Sequence, residues 1–417
     1  FKHIYFLASD TSSIFNLKMF STLVNNFFNL PNDFMFISFL DALKYILANV
    51  NEPMVIVIDE LPFLYRTNKN VLSELQNFID DMHDSKIKII LSGSDMAFME
   101  DILNNKGKPL FQRLSFKLAL SPMPFDESLL FLKDVKSNEE KAKFLSLFLG
   151  RPLYLEMIDT SKSFEENLKN IVFKKNAPMS NAPLMVLPLG LGQSGIFMLI
   201  LNAIASGHNT QSKIASFIHE PVNNVSTYVT KLLSYKIIER RETFKGNQKS
   251  NYYVISDPLI DYYYSIIFEY RDLIDEGYGE IIYSNVKESS DLFISKKFEE
   301  VVNSYMMYLN KSNKLEHIIK PIQHFKADKT SLNRSIEIDG VSEDVFTKKY
   351  LYVIETKFRN KDTSIKVLEH LKESVSIFKG YKDVYYYLFS KTGFSEDIKH
   401  EKGNVHLITL EEMMDAD

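Results

Sequence analysis

The chain of 417 residues contains no cysteine. Disulfides, thiolate zinc sites and cysteine nucleophiles are excluded together, which suits an intracellular, cytoplasmic setting. Long hydrophobic runs are also scarce. The one extended uncharged stretch, Asn181 to His208, is interrupted by Pro183, Pro188, Gly190, Gly192 and Gly195 and lacks flanking aromatic and basic anchors. A bilayer span needs about 20 apolar residues, so this stretch reads as a loop followed by a buried helix, Ile196 to Ala205, and no membrane partner is expected. Excess positive charge is missing as well: Lys+Arg 49 against Asp+Glu 54 leaves a net charge of -5. Any attraction to nucleic acid must therefore come from a local basic patch. Finally, no Gly-x-x-x-x-Gly-Lys-Ser/Thr phosphate loop occurs, since Gly107-Lys108 runs into Pro109.

Apolar residues at 45% and charged residues at 25% are ordinary for a water-soluble globular chain and exclude wholesale disorder, collagen-like repeats and a polytopic membrane protein. The length predicts two or three domains. In the first third, strand patterns at Lys2 to Ala8, Met54 to Ile58 and Lys88 to Leu91 alternate with helical spacing such as Val71 to Met82. That order predicts a parallel sheet with crossover helices. From Asp126 to about Lys175 the pattern is helical only, a lid attached to the sheet. Three helices from Ile196 to about Ser234 then precede a hairpin, Ile237 to Glu242 returning as Asn251 to Ile255, with Lys245-Gly246-Asn247-Gln248 at its tip. Helices plus hairpin predict a winged helix. An aromatic helix, Pro258 to Tyr270, and a connector lead to a last α/β unit: helix Phe298 to Leu309, Ile336 to Asp339, strand Tyr350 to Glu355, helix Ser364 to Phe378 and strand Asp383 to Phe389. The Tyr262 to Tyr264 and Tyr385 to Tyr387 runs read as core.

Met54 to Ile58 followed by Asp59-Glu60 is an apolar strand ending in two carboxylates. Asp59 can reach a magnesium ion on nucleotide phosphates and Glu60 can orient an attacking water; a solvated strand end is the plainer alternative. Ser92-Gly93-Ser94 closes the next strand and brings a hydroxyl to the same place, with Ser94 expected at the terminal phosphate. Arg113 either stabilises charge on a transferring phosphoryl group or pairs with a nearby carboxylate as a structural bridge.

In the last unit Glu299 lies on a helix, Asp339 ends one strand and Glu355-Thr356-Lys357 ends the next. Carboxylates on adjacent strands can converge on magnesium or manganese, while Lys357, on the same face as Glu355, can position a water or the scissile phosphate. This is the PD-(D/E)xK nuclease layout; its alternative is a surface ion pair. In the winged helix, Asn224, Thr227 and Lys231 on the third helix can face a major groove, while Arg240, Arg241, Lys245 and Lys249 on the hairpin hold phosphates. The alternative is a module that relays nucleotide state.

Val57 to Leu64, Ser73 to Gln76, Leu91 to Ser94 with Phe98-Met99-Glu100, Pro109-Leu110 with Arg113, Pro152 to Leu155, Ala203 to Gly207, Tyr253 to Asp257, Phe298-Glu299, Glu337 to Gly340 and Glu355 to Lys357 follow one another in an order that resembles the archaeal-type AAA+ ATPases with a C-terminal nuclease-like domain. The resemblance departs at the absent phosphate loop and at Ser92 and Thr356, where the family often has Cys. It implies an α/β protein with an ATPase core (residues 1–125) lacking its first strand and phosphate loop, which are expected upstream. A helical lid (126–190), a winged helix (191–257), a connector (258–290) and a restriction-endonuclease-like α/β domain (291–417) complete the expected order. ATP and Mg2+ are the implied cofactors, with Mn2+ open at the nuclease-like site, and DNA is the implied partner alongside a second copy of the chain or a partner protein. The competing class is a nucleotide-switched regulatory protein with an inactive nuclease fold.

Overall fold

The computed structural model describes residues 2–83, 85–183, 187, 195–245, 251–328, 330, 332 and 334–415. The chain divides into two compact units, Phe1–Ala119 with Ser234–Lys236, and Leu120–Leu233 with Ile237–Asp417.

The first unit is built on a parallel sheet of β1 (Lys2–Leu7), β2 (Met54–Asp59) and β3 (Ile87–Leu91), in that order. Its register sets Ile4 beside Ile56 and Ile56 beside Ile89. These residues face a core shared with α1 (Ser13–Phe28), α2 (Phe39–Asn49), α3 (Leu61–Thr67), α4 (Val71–Asp81) and α5 (Met96–Asn104). The alternate residues Tyr5, Val57 and Ile90 are also in register, on the opposite face. There Tyr5 is 49%, Leu7 55% and Ile90 51% exposed. A parallel sheet is normally covered on both faces, so this one presents an unusually bare apolar side. Past α5, residues 116–120 belong to no helix or strand, and Phe116 and Leu118 are exposed.

The second unit centres on a five-stranded mixed sheet, ordered β10-β9-β8-β7-β6. Before it come α6 (Phe125–Leu130), α7 (Asn138–Phe148), α8 (Pro152–Leu155), α9 (Phe164–Leu168), α10 (Gly195–Ala205), α11 (Gln211–Ile218) and α12 (Val222–Ser234). The hairpin of β4 (Ile238–Arg241) and β5 (Tyr252–Ile255) follows. Next are α13 (Pro258–Tyr262), α14 (Arg271–Glu276) and α15 (Gly279–Lys311). The sheet itself comprises β6 (Gln323–Ala327), β7 (Ile336–Glu343), β8 (Tyr350–Lys357), β9 (Asp383–Ser390) and β10 (Val405–Thr409), with α16 (Ile365–Val375) between β8 and β9. β8 is antiparallel to β7 and parallel to β9, and Leu351 to Ile354 are buried on both of its faces, which is why that run is continuously apolar.

Three expectations change. The helices after residue 125, expected beside the N-terminal sheet, belong to the second unit: the Phe125 ring packs edge-on against Tyr305, and Lys391 pairs with Glu139 at 2.8 Å. The connector before Phe298 is instead the first half of α15, a single helix of 33 residues. No proline or glycine interrupts residues 280–311, and the buried stripe Ile282, Val286, Ile294, Phe298, Val302 runs through it. The aromatic helix from Pro258 stops at Tyr262 and continues as a wider turn, Tyr263–Ile267. Among the described residues no helix is long and apolar enough to cross a membrane.

Candidate functional site

Asp59 ends β2 at the carboxyl edge of the parallel sheet, where open α/β sheets gather their ligands. Its Oδ1 accepts from Ser92 Oγ at 2.6 Å and its Oδ2 from the Tyr5 hydroxyl at 2.5 Å. These two hydrogen bonds hold the Asp59 carboxyl below the usual carboxylate range, so it stays ionised and able to meet a cation. Glu60 follows in a left-handed conformation, φ 55°, that turns the chain sharply into α3. Its Oε2 accepts from Ser94 Oγ at 3.0 Å. Ser92, rather than Ser94, is thus the hydroxyl on Asp59, and Ser94 restrains Glu60. Gly93 separates them because a Cβ there would lie 2.6 Å from Pro62 Cδ. Arg113 takes the structural alternative: its Nε donates to Asp80 Oδ1 at 2.9 Å and Nη1 to the Pro109 carbonyl at 3.0 Å.

In the second unit Gly340 pairs with Ile354, which sets Asp339 and Glu355 just beyond the last paired residues of neighbouring strands. The close approach needs glycine, since a Cβ at 340 would stand 2.8 Å from Ile322 Cγ2. Asp339 Oδ2 accepts from the Thr356 amide at 2.8 Å, and Lys357 Nζ donates to Glu355 Oε1 and to the Thr356 carbonyl. Glu299 approaches from α15. Burial, then the charges of Asp339 and Glu337, push Glu299 up to about 8, with Lys357 opposing. Burial and the Asp339 charge push Glu355 up to about 7, again against Lys357. Asp339 is raised by burial, and Lys357 and the Thr356 amide pull it back. Three carboxylates thus share one ammonium group and are short of positive charge. Among the described residues no three histidine or acidic side chains are arranged so that they could hold a metal ion. Asp339 and Glu355 on neighbouring strands form a two-carboxylate set, all oxygen and short of positive charge, which is the chemistry a hard divalent ion takes when water or substrate completes its shell.

Several of the side chains expected on DNA meet partners within the protein. Asn224 Nδ2 donates to Glu220 at 3.2 Å, Thr227 Oγ1 to the Asn223 carbonyl at 3.4 Å, and the Lys231 ammonium lies 5.5 Å from the Phe197 ring centre. Lys245 sits 4.5 Å over the Tyr381 ring. Arg240 is exposed. Arg241 pairs with Glu300 at 3.4 Å and Glu239 at 3.7 Å, which corrects its expected place on a phosphate backbone. Lys249 and the tip at Gly246 to Gln248 lie outside the described residues.

One cluster has no signal in the sequence. Lys297 bridges Asp261 at 2.8 Å and Glu300 at 3.0 Å, and Glu300 also holds Arg241. Burial opposes the charge on Glu300, yet Lys297 and Arg241 hold its carboxyl down at about 2. The members lie on α13, α15 and β4, so spacing along the chain does not reveal them. Tyr5 is equally hidden, as its role follows only from the pairing of β1 with β2.

Residues 263–368, from the turn after α13 into α16, match the family DUF234, described as archaeal and bacterial proteins of unknown function. An uncharacterized protein of Methanocaldococcus jannaschii, MJECL04, is 26% identical over 372 residues, covering 88% of this chain and 79% of its own length. Among solved structures, the Walker-type ATPase PABY2304 of Pyrococcus abyssi is similar with a TM-score of 0.48 and 19% identity, over 64% of this chain and 84% of that one. CDC6P from Pyrobaculum aerophilum gives a TM-score of 0.29 and 14% identity, over 66% and 80%. Both scores are below 0.5, so the chemistry rests on the side chains themselves.

Proposed function

We propose that the protein is an ATP-hydrolysing, DNA-directed cytoplasmic enzyme whose second unit carries a metal-dependent nuclease site. The observation that carries the nuclease half is the placing of Asp339 and Glu355 side by side on β7 and β8, with Lys357 on Glu355; the carboxyls of both, and of Glu299, are raised. Asp339 and Glu355, with Glu299 beside them, would hold Mg2+ or Mn2+. Bound there, the ion supplies a Lewis acid for the phosphodiester oxygen and a more acidic water. Lys357, released from Glu355, is placed to hold that water or the scissile phosphate.

The ATPase half is supported by the ionised Asp59 and the restrained Glu60 at the carboxyl edge of β2. It is also supported by the bare apolar face at Tyr5, Leu7 and Ile90 and by the exposed Phe116 and Leu118. A further strand, phosphate loop and helix, as expected from the sequence, would cover such a face and bring the nucleotide to Asp59. Ser92 and Tyr5 then keep Asp59 charged for the nucleotide's magnesium, and Glu60 orients the attacking water.

The Lys357–Glu355 ion pair favours one competing reading, an inactive nuclease fold in a nucleotide-switched binding protein. Incubating labelled DNA with the protein and Mg2+ or Mn2+ separates the two. Asp339→Ala should abolish both cutting and any metal-dependent rise in melting temperature, and Lys357→Ala should impair cutting while sparing metal binding. No cutting, with no metal binding that depends on Asp339, leaves the inactive fold.

A further inference from the structure

We infer that a basic hollow just past the carboxyl end of β8 is a phosphate subsite, which takes a backbone phosphate of DNA next to the one cut at Asp339 and Glu355. The inference rests on the nuclease reading above and adds a substrate contact outside the carboxylate cluster. The hollow is open, about 210 Å³ in volume, and is lined from α7, α15 and the segments that follow β8 and β9.

Its place relative to the candidate catalytic residues is fixed by hydrogen bonds. β9 runs beside β8 with Ser390 opposite Lys357, and the next residue, Lys391, donates its amide to the Lys357 carbonyl at 3.0 Å. On α15, the Ser295 hydroxyl donates to the Phe358 carbonyl at 3.2 Å. Ser295 stands one turn, about 6 Å of helix axis, before Glu299. The walls of the hollow therefore continue directly into the strand that carries Glu355 and Lys357 and the helix that carries Glu299.

Positive charge is in excess there. The lining holds three cations, Lys143, Arg359 and Lys391, against two carboxylates, Glu139 and Asp291. Glu139 Oε1 meets both Lys143 and Lys391 at 2.8 Å. Burial opposes its charge, yet the two ammonium groups hold the carboxyl below its ordinary range, so one negative charge is divided between two cations. Lys391 is the more confined of the two, with its side chain 11% exposed and its Nζ also donating to Asn360 Oδ1 at 2.7 Å. Arg359 is exposed and makes no hydrogen bond or ion pair among the described residues. Its charge nonetheless reaches Glu355, acting against the burial and the Asp339 charge that raise that carboxyl. Five N–H donors in a planar fork are thus unused within electrostatic reach of the proposed metal site.

A hollow rich in donors and short of acceptors suits an oxygen-rich anion, and a guanidinium grips phosphate oxygens in pairs. Backbone phosphates are where proteins fix the register of a nucleic acid, and DNA with one phosphate at Asp339 and Glu355 brings its neighbouring phosphates to this side of the site. The chain's net charge of -5 gives no general attraction to DNA, so local cations have to supply it.

The test is fluorescence anisotropy of a labelled duplex oligonucleotide at a series of salt concentrations, in calcium so that it stays uncut. Arg359→Ala should weaken binding about tenfold and make the slope of log affinity against log salt shallower by about 0.9, the share of one phosphate. Arg359→Lys should restore the slope and only part of the affinity, since lysine keeps the charge and loses the fork. No binding by the wild-type chain overturns the inference, as does an unchanged slope in Arg359→Ala. An equal loss from Lys311→Ala, an exposed cation at the far end of α15, also overturns it, because attraction is then diffuse. Inorganic phosphate probes the other source: a rise in melting temperature that Arg359→Ala abolishes, with DNA binding unaltered, assigns the hollow to free phosphate and removes the DNA contact. Incubation of the same duplex in magnesium separates the two readings. Cutting without any effect of Arg359→Ala on binding keeps the nuclease and removes the subsite, whereas an Arg359-dependent slope without cutting keeps the subsite and removes the nuclease.

Discussion

Replacing Glu299 by glutamine removes one negative charge from the carboxylate cluster and should stabilise the protein at alkaline pH. In the folded chain the Glu299 carboxyl titrates at about 8 against an ordinary 4.5, pushed up by burial and by the charges of Asp339 and Glu337. Between those pH values the folded state keeps a proton that the unfolded chain has lost. Stability must therefore fall as pH rises through this window and is fully retained only below about pH 4.5. Each pH unit of separation is worth about 1.36 kcal/mol, which bounds the cost at about 5 kcal/mol at pH 8. Glu299 is half-buried beside an open cavity, so relaxation toward solvent reduces the expected gain of Glu299→Gln to about 2 kcal/mol. For a unit of this size that is a rise of about 4–8 °C in melting temperature. Thermal denaturation of both proteins at pH 5 and pH 8 measures it: the curves should nearly coincide at pH 5 and separate at pH 8. Magnesium should then recover much of the difference for the wild-type chain alone, because the ion offsets the same repulsion. Parallel melting curves at both pH values would refute the coupling of Glu299 to the cluster.

Glu300→Gln should cost about 1–3 kcal/mol, read from urea denaturation, because it leaves the half-buried Arg241 beside a neutral partner while Lys297 keeps only Asp261. Glu300 is depressed to about 2, so its contribution is present above pH 4.5 and is lost on acidification toward pH 2, and the variant should lack that acid-dependent loss. Gly279→Ala should shift or break the start of α15, since the added Cβ would lie 1.6 Å from the Phe173 carbonyl oxygen; a drop of more than about 2 kcal/mol in unfolding free energy is expected. In protein carrying the phosphate loop, Glu60→Gln should retain ATP binding and lose hydrolysis, measured as phosphate release, and unchanged turnover would remove Glu60 from the reaction.

Strand ends are the most legible feature of the chain. A run such as Met54 to Ile58 or Tyr350 to Ile354 can bury itself only as a central strand, and carboxylates placed directly after it must emerge at the sheet's edge. Asp59, Glu60, Glu355 and Lys357 are visible in the sequence for that reason, whereas Asp339, expected to end a strand, lies inside β7, which runs on to Glu343. The helix α15 reads too short from sequence because its first half carries many polar residues, Ser284, Asn285, Lys287, Glu288 and Ser289 among them, and its apolar stripe shows only when the whole length is viewed. β6 and β10 escape a sequence reading for a different reason: each is five residues long and takes its stability from one neighbouring strand at the edge of the sheet.

Local order along the chain thus determines the alternation of strands and helices, the position of each acidic strand end and the Glu-x-Lys spacing that sets two side chains on one face. These depend on periods of two and 3.6 residues, which any short segment expresses by itself. Partner choice is decided only by the tertiary structure. Whether Arg113 meets a phosphate or Asp80, whether Ser92 or Ser94 reaches Asp59, and whether Arg241 faces solvent or Glu300 are settled by hydrogen bonds between residues 33, 33 and 59 positions apart. A side chain's charge and reach are written in its identity, but the surroundings that make Glu299 weakly acidic and Glu300 strongly so come largely from elements elsewhere in the chain. Two adjacent glutamates on one helix therefore differ because one faces two further carboxylates and the other faces Lys297 and Arg241.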